Sequence, residues 1–163
     1  MRCYVVMGVA GCGKSTVGEA LAKALDATFI DGDNLHPASN IAKMSSGQPL
    51  NDDDRAPWLD KVGQTLKHQP GVCLIGCSAL KRTYRDRIRA AAQDPVTFLH
   101  LDGSRPVIEA RMSARTGHFM PVKLLDSQFA ALEPLQPGED GIAVDIDQSF
   151  EAVVAELLAR LPR

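Results

Sequence analysis

Five short apolar runs mark the chain: CYVVMG (3–8), ATFIDG (27–32), GVCLIGC (71–77), VTFLHLD (96–102) and GIAVDI (141–146). They are apolar on both faces rather than alternating. That pattern suits strands of a parallel sheet covered by helices on each side. Helical patterns lie between them. From Lys14 to about Leu25, the residues Val17, Leu21, Ala24 and Leu25 share one face. Near the end of the chain, Phe150, Val153, Val154, Leu157, Leu158 and Leu161 form a stripe with a 3.6-residue period. NDDDRAPWL (51–59) gathers acids where the first turn of a helix favours them, and KRTYRDRIRAAAQ (81–93) reads as a basic helix. The alternation of strand and helix predicts a doubly wound α/β domain with right-handed crossovers.

Length and composition narrow this picture. The 163 residues make one domain, 1–163, long enough to bury a core without disulfide or metal staples. With 45% hydrophobic and 23% charged residues and a formal net charge of −2, the chain reads as an ordinary globular protein. A near-neutral balance argues against a general nucleic-acid binder. No apolar run approaches the roughly 18–20 residues of a membrane span, and the first strand begins too early for a signal peptide. Cys3, Cys12, Cys73 and Cys77 form no CxxC pair and read as buried free thiols. A cytoplasmic protein is expected.

The chemistry enters at GVAGCGKST (8–16). Gly8, four residues, then Gly13, Lys14 and Ser15 satisfy G-x-x-x-x-G-K-[ST], and the loop leaves a predicted strand and opens a predicted helix. Gly8, Gly11 and Gly13 let the backbone curl so that successive N–H groups point at phosphate oxygens beside a positive helix end. Val9, Ala10 and Cys12 are small, as a loop wrapped round phosphates demands. Lys14 supplies a cation to the β- and γ-phosphates, Ser15 a hydroxyl to Mg²⁺, and Thr16 continues the loop. Cys12 in this electropositive loop is also a candidate redox-sensitive thiol.

Three classes share such a loop. A guanine-nucleotide switch carries an N-K-x-D segment, and none is present. An ATPase motor ends its third strand in acids, whereas here GVCLIGC is followed by Ser78, Lys81 and Arg82, groups suited to an anionic substrate. A small-molecule kinase needs an acceptor site, a group beside the acceptor hydroxyl and a cationic lid. DGDNLHP (31–37) places Asp31, Asp33 and His36 at the carboxyl end of the second strand, where ligands of open parallel sheets bind. A carboxylate there orients an acceptor hydroxyl or holds Mg²⁺ through water; equally, these acids make a turn around Gly32 and cap the next helix. Arg111 and Arg115 sit four apart before Thr116–Gly117, the pattern of a lid at about 112–122, or of a solvated helix face. Arg55 after three aspartates is either an acceptor ligand or a surface ion pair. Trp58 lines a pocket or fills the core.

Taken together the residues resemble the gluconokinase family. The resemblance rests on GVAGCGKST, DGDNLHP, NIAKMSSGQPLNDDDRAPWL (40–59), CSALKRTYRDRIR (77–89), RTGHFMPVKLLDSQFAALE (115–133) and VDIDQS (144–149). It implies a three-layer α/β/α P-loop kinase fold with a five-stranded parallel sheet, a mobile lid and a helical substrate-binding region. It further implies transfer of the ATP γ-phosphoryl group to the 6-hydroxyl of D-gluconate, with Mg²⁺, by a homodimer. On matching positions, residues Gly8 to Thr16 would hold the triphosphate and Mg²⁺, and Asp33 would meet the acceptor hydroxyl. Arg55, Lys81, His36 and His118 would bind the sugar acid, Arg111 and Arg115 would be the lid arginines, and 145–149 would lie near adenine. The alternatives are an adenylylsulfate or shikimate-type kinase, or a nucleotide-binding module without catalysis.

Overall fold

The computed structural model describes residues 3–113 and 122–161. All five expected strands form, some of them trimmed at the ends: β1 (Cys3–Met7), β2 (Thr28–Asp31), β3 (Cys73–Gly76), β4 (Val96–Asp102) and β5 (Gly141–Asp145). They make one parallel sheet in the order β2-β3-β1-β4-β5, with Val5 of β1 in register between Ile75 and Phe98. Parallel neighbours require crossovers, and helices supply them: α1 (Lys14–Leu25), α2 (Ala38–Ser45), α3 (Asp52–His68), α4 (Arg82–Ala92), α5 (Arg105–Ser113), α6 (Val122–Ala131) and α7 (Phe150–Arg160). The doubly wound α/β expectation is met.

The period-two geometry of the strands divides the core between two faces. Tyr4 and Val6 of β1, with Leu74, Leu99, Leu101 and Val144, pack against Val17 and Leu21 of α1 and Val153 and Leu157 of α7. Their alternates Cys3, Val5 and Met7, with Cys73, Ile75 and Phe98, pack against Leu59, Val62 and Leu66 of α3 and Ile88 of α4. β1 is therefore buried on both faces and hydrogen-bonded on both edges, which makes its carboxyl end a firm platform. Helix α3 starts at a capping box: the Asp54 N–H donates to Asn51 Oδ1 (2.8 Å) and the Asn51 N–H to Asp54 Oδ2 (2.9 Å). The acids of 52–54 thus serve a helix start, as expected. Among the described residues no helix is long and apolar enough to cross a membrane.

The expected basic helix forms as α4, but not all of its charge faces solvent: Arg85 is fully buried. Its guanidinium donates from Nε and Nη2 to the two oxygens of Glu139 (2.8 and 2.9 Å) and from Nη1 to the Ala79 and Leu80 carbonyls (2.9 and 3.3 Å). Glu139 also accepts from the Gln136 N–H and from Arg89. Burial alone would raise the Glu139 carboxyl, but the donors around it outweigh burial and hold it down to about 2. The pair pins the loop after β3, in which Ala79 adopts φ +45°, a left-handed conformation costly for alanine.

Removing one partner of such a pair leaves a buried charge without compensation, so Glu139→Gln should cost about 3–5 kcal/mol of folding stability in urea unfolding. A loss below about 1 kcal/mol would show that the loop does not need the pair. Because the folded pKa of Glu139 is depressed, its contribution is complete above the ordinary glutamate range and drains as pH falls towards about 2. The stability gap between wild type and Glu139→Gln should close over that interval.

Candidate active site

The loop between β1 and α1 has the shape the motif demands. Gly8, Gly11 and Gly13 take φ values of +149°, +83° and +96°. A side chain is excluded from these backbone conformations, and at Gly8 a Cβ would also strike Cys12 Sγ at 2.7 Å and the Leu101 carbonyl at 3.0 Å. The loop is tied to the next strand by the Gly8 N–H, which donates to the Ser78 carbonyl (3.2 Å). Lys14 Nζ folds back along the loop and donates to the Gly8 and Val9 carbonyls (3.1 and 3.2 Å). Ser15 and Thr16 stand exposed at the open N-terminus of α1. Cys12 is buried, and burial pushes its thiol up despite the nearby Lys14 and Arg111. A reactive thiolate needs the opposite, so the structure removes Cys12 as a redox-sensitive candidate.

Beside the loop lies a cleft of about 310 Å³, lined by Gly11, Gly13, Thr16, Arg111, Ile146 and Phe150 among others. The Arg111 guanidinium bridges to the segment after β5 by donating to the Ile146 and Gln148 carbonyls. Arg111 therefore occupies the wall of this cleft, between α5 and the 145–149 segment, and Phe150 at the start of α7 is partly exposed within it. Arg115 and His118 lie outside the described residues.

The acceptor-side candidates assemble at the ends of β2 and β3. Asp31 does make a turn: its Oδ1 accepts the Asp33 N–H (3.0 Å) and starts a short 3-10 helix at Gly32–Leu35. Asp33 itself is exposed. Its charge and that of Lys14 act on one thiol, Cys77, which burial raises to about 12 while Lys14 pulls it down and Asp33 pushes it up. Packing brings both segments to the end of β3: a Cβ on Gly76 would lie 3.9 Å from Lys14 Cβ, and one on Gly32, beside Asp33, would strike the Gly76 carbonyl oxygen.

His36 stacks on Trp58, with centroids 4.1 Å apart and planes 16° apart. Trp58 fills the core, as one of its two expected roles, and donates from Nε1 to the Gly32 carbonyl (2.8 Å). Asn40, which the sequence reading passed over, donates from Nδ2 to the Asp54 carbonyl (2.9 Å) and to His36 Nδ1 (3.2 Å). The carbonyl partner fixes the amide orientation, which makes His36 Nδ1 an acceptor and places the proton of the neutral ring on Nε2. Burial lowers the His36 pKa, with Asp33 raising it and Arg55 lowering it, so the imidazole is neutral at pH 7.

Arg55 and Lys81 meet over one aromatic ring: the Arg55 guanidinium lies 5.5 Å and Lys81 Nζ 5.7 Å from the centre of Tyr84. The Tyr84 hydroxyl donates to Asp52 Oδ1 (2.6 Å), and Arg55 Nη1 donates to the same oxygen (3.4 Å) and to the Tyr84 hydroxyl (3.3 Å). Burial and the Asp52 hydrogen bond raise the Tyr84 phenol to about 12, which keeps it protonated. Arg55 is accordingly both a surface ion pair and a member of a cationic cluster. Arg82 turns away, donating to Gln136 (3.2 Å). Tyr84 carried no signal by itself; its spacing of three from Lys81 on a basic helix is the one hint available in sequence.

Comparison with known proteins agrees with this arrangement. The model of the shikimate kinase family matches residues 10–161. The thermoresistant gluconokinase of Escherichia coli K12 is 48% identical over 95% of this chain and 90% of its own, and the gluconokinase of Gluconobacter oxydans is 44% identical over 96% and 89%. A crystal structure of a gluconokinase from Sinorhizobium meliloti superposes with a TM-score of 0.89 at 49% identity, covering 97% of this chain and 90% of that one. Shikimate kinase from Aquifex aeolicus, at 18% identity and a TM-score of 0.63, shares the fold. A phosphate-loop motif with the expected shape, a cleft beside it and this degree of identity lead to one conclusion: the chain belongs to the gluconokinase family of P-loop kinases.

Proposed function

We propose that the protein transfers the γ-phosphoryl group of ATP to the 6-hydroxyl of D-gluconate, giving 6-phospho-D-gluconate and ADP. The observation that carries this reading is the convergence of Arg55 and Lys81 on Tyr84, at the strand ends that also bear the phosphate loop. Two cations with a neutral imidazole and phenol nearby fit an acceptor with one carboxylate and a row of hydroxyls, which is gluconate. A nucleoside acceptor would ask for stacking surface instead.

On this reading the residues Gly8, Val9, Ala10, Gly11, Cys12, Gly13, Lys14, Ser15 and Thr16 cradle the triphosphate, with the Gly8 and Cys12 N–H groups shaping the loop through the Ser78 and Val9 carbonyls rather than meeting phosphate. Arg111 and Phe150 hold the nucleoside in the adjoining cleft. The site would hold Mg²⁺ through one or two protein oxygens, and the ion would supply charge neutralisation to the phosphates. The Ser15 hydroxyl, with Asp31 or Asp33 through water, offers a donor set of that hard kind. Asp33 orients the acceptor hydroxyl; Arg55, Lys81 and His36 bind the sugar acid. Arg115 and His118 are assigned to the lid and to the sugar acid on family resemblance. In the reaction the 6-oxygen bonds to the γ-phosphorus as its bond to the β–γ bridging oxygen breaks. The hydroxyl proton passes to Asp33 or to water, and ADP carries away the bridging oxygen. A loose transition state of this kind needs positioning and charge more than a strong base.

An ADP-release assay across gluconate, shikimate, adenylylsulfate and nucleoside monophosphates tests the reading. Turnover with gluconate is expected, and nucleotide binding without acceptor-dependent turnover would sink it. Lys14→Ala should lower kcat by about 10²-fold or more, as loss of a positioned cation does. Arg55→Ala should raise the gluconate KM at least about tenfold, as loss of a charged hydrogen bond does, while the ATP KM moves little. Equal rises in both would remove Arg55 from the acid pocket.

A further inference from the structure

One contact of the donor loop belongs to neither the motif nor the acceptor corner. The Ala10 N–H donates to Gln128 Oε1 at 2.6 Å, across 118 residues of chain. The carbonyl of the same peptide unit, that of Val9, accepts from Lys14 Nζ. Lysine in this position serves the β- and γ-phosphates. The Val9–Ala10 peptide that it touches therefore sits at the distal end of the phosphate site, away from the amides at the start of α1. An amide N–H has one strong bond to give. A phosphate oxygen arriving at the distal end and Gln128 Oε1 compete for it.

Gln128 is held firmly enough to compete. It lies on α6 between the core residue Leu125 and a trailing segment bonded to the acceptor loop. Preceding it, Asp126 pairs with Arg105 of α5. Following it, the Glu133 N–H donates to the Leu80 carbonyl (2.7 Å), Glu133 Oε1 accepts the Arg82 N–H (2.9 Å), and Glu139 grips Arg85. The element that carries Gln128 to the donor loop is thus the one that fastens the loop bearing Lys81.

We infer that Gln128 is a positioning residue of the kinase site: its carbonyl occupies the Ala10 amide and is exchanged for the terminal phosphate of the nucleoside triphosphate. The inference rests on the donor-loop part of the proposed function and is independent of the acceptor's identity. A nucleoside diphosphate lacks the terminal phosphate and leaves the Gln128 contact in place. Displacement of Gln128 by a triphosphate loosens α6 from the donor loop while its far end stays bonded to the acceptor loop. Occupancy of the donor site is thereby felt where Lys81 sits.

The test is a pair of binding constants, for ADP and for a non-hydrolysable ATP analogue, in wild type, Gln128→Ala and Gln128→Glu. Removing the competitor in Gln128→Ala should strengthen the triphosphate relative to ADP by roughly two- to tenfold, the worth of one hydrogen bond. Gln128→Glu keeps the reach and the acceptor but adds a negative charge facing the terminal phosphate, so the ratio should fall below wild type. ADP binding should stay within about twofold in both variants, no more than the smallest worth of one hydrogen bond; this also reports that the fold is intact. A ratio unchanged in both variants would overturn the inference. So would a selective loss of triphosphate affinity in Gln128→Ala, since Gln128 would then be a phosphate ligand rather than its competitor. Neither result bears on whether gluconate is the acceptor.

Discussion

Backbone amides that are to hold an anion cannot be spent on the protein's own carbonyls, and this constraint orders the rest of the molecule. The loop at residues 8–16 curls only because Gly8, Gly11 and Gly13 accept left-handed or otherwise excluded backbone angles, and the Gly8 and Cys12 N–H groups are given to the Ser78 and Val9 carbonyls to hold that shape. A loop so strained needs an unyielding base. β1 provides it by lying at the centre of the sheet, paired on both edges and buried on both faces. The change of direction in strand order falls at the same place, with β3 on one side of β1 and β4 on the other. A crevice opens there beyond the carboxyl ends of the strands. Asp31 stands at a strand end, Lys14, Ser15, Arg55 and Lys81 at helix starts, and Arg111 in the last turn of α5.

The parts of this plan that were legible in the sequence are those governed by local rules. Strands apolar on both faces declared a covered parallel sheet, the glycine spacing declared the loop, and NDDD declared a helix start. What was not legible depends on partners far along the chain. Arg85 sits among four other arginines and lysines of a basic helix and has nothing local to mark it as buried; Glu139, 54 residues later, decides its fate. Asn40 looked like a polar residue of an unremarkable segment, and only the approach of α3 adds the Asp54 carbonyl to His36 Nδ1 as an acceptor for its amide. Helices α2 and α6 are short and carry no long apolar stripe, so periodicity could not announce them. Cys12 failed for a different reason. The charge of the loop suggested a reactive thiol, but the thiol lies under the loop, where burial outweighs the nearby cations.

The buried Arg85–Glu139 pair is better understood as a geometric device than as a source of stability. Replacing such a pair with apolar groups is often neutral or better for folding free energy, whereas its five directional donors define one arrangement of the chain. Here the arrangement is that of residues 77–81, which must hold a left-handed alanine and present Ser78 to the donor loop and Lys81 to the acceptor corner. An apolar plug would fill the space without fixing the Ala79 and Leu80 carbonyls.

The same logic explains how the cations of the site are kept ready. Three of the four described arginine and lysine groups assigned to the site rest on oxygen atoms, and the fourth, Lys81, lies over the Tyr84 ring. Lys14 rests on two loop carbonyls, Arg111 on the carbonyls of Ile146 and Gln148, and Arg55 on the exposed carboxylate of Asp52. These partners are weak ones: neutral carbonyls, or a carboxylate in full contact with water at a long 3.4 Å. A strong partner would compete with the substrate, and no partner would leave a long side chain disordered and its ordering to be met at binding. A weak partner avoids both penalties. On the proposed function it would hold each cation near its working position and give way to phosphate or carboxylate oxygens, whose charge makes the stronger bond.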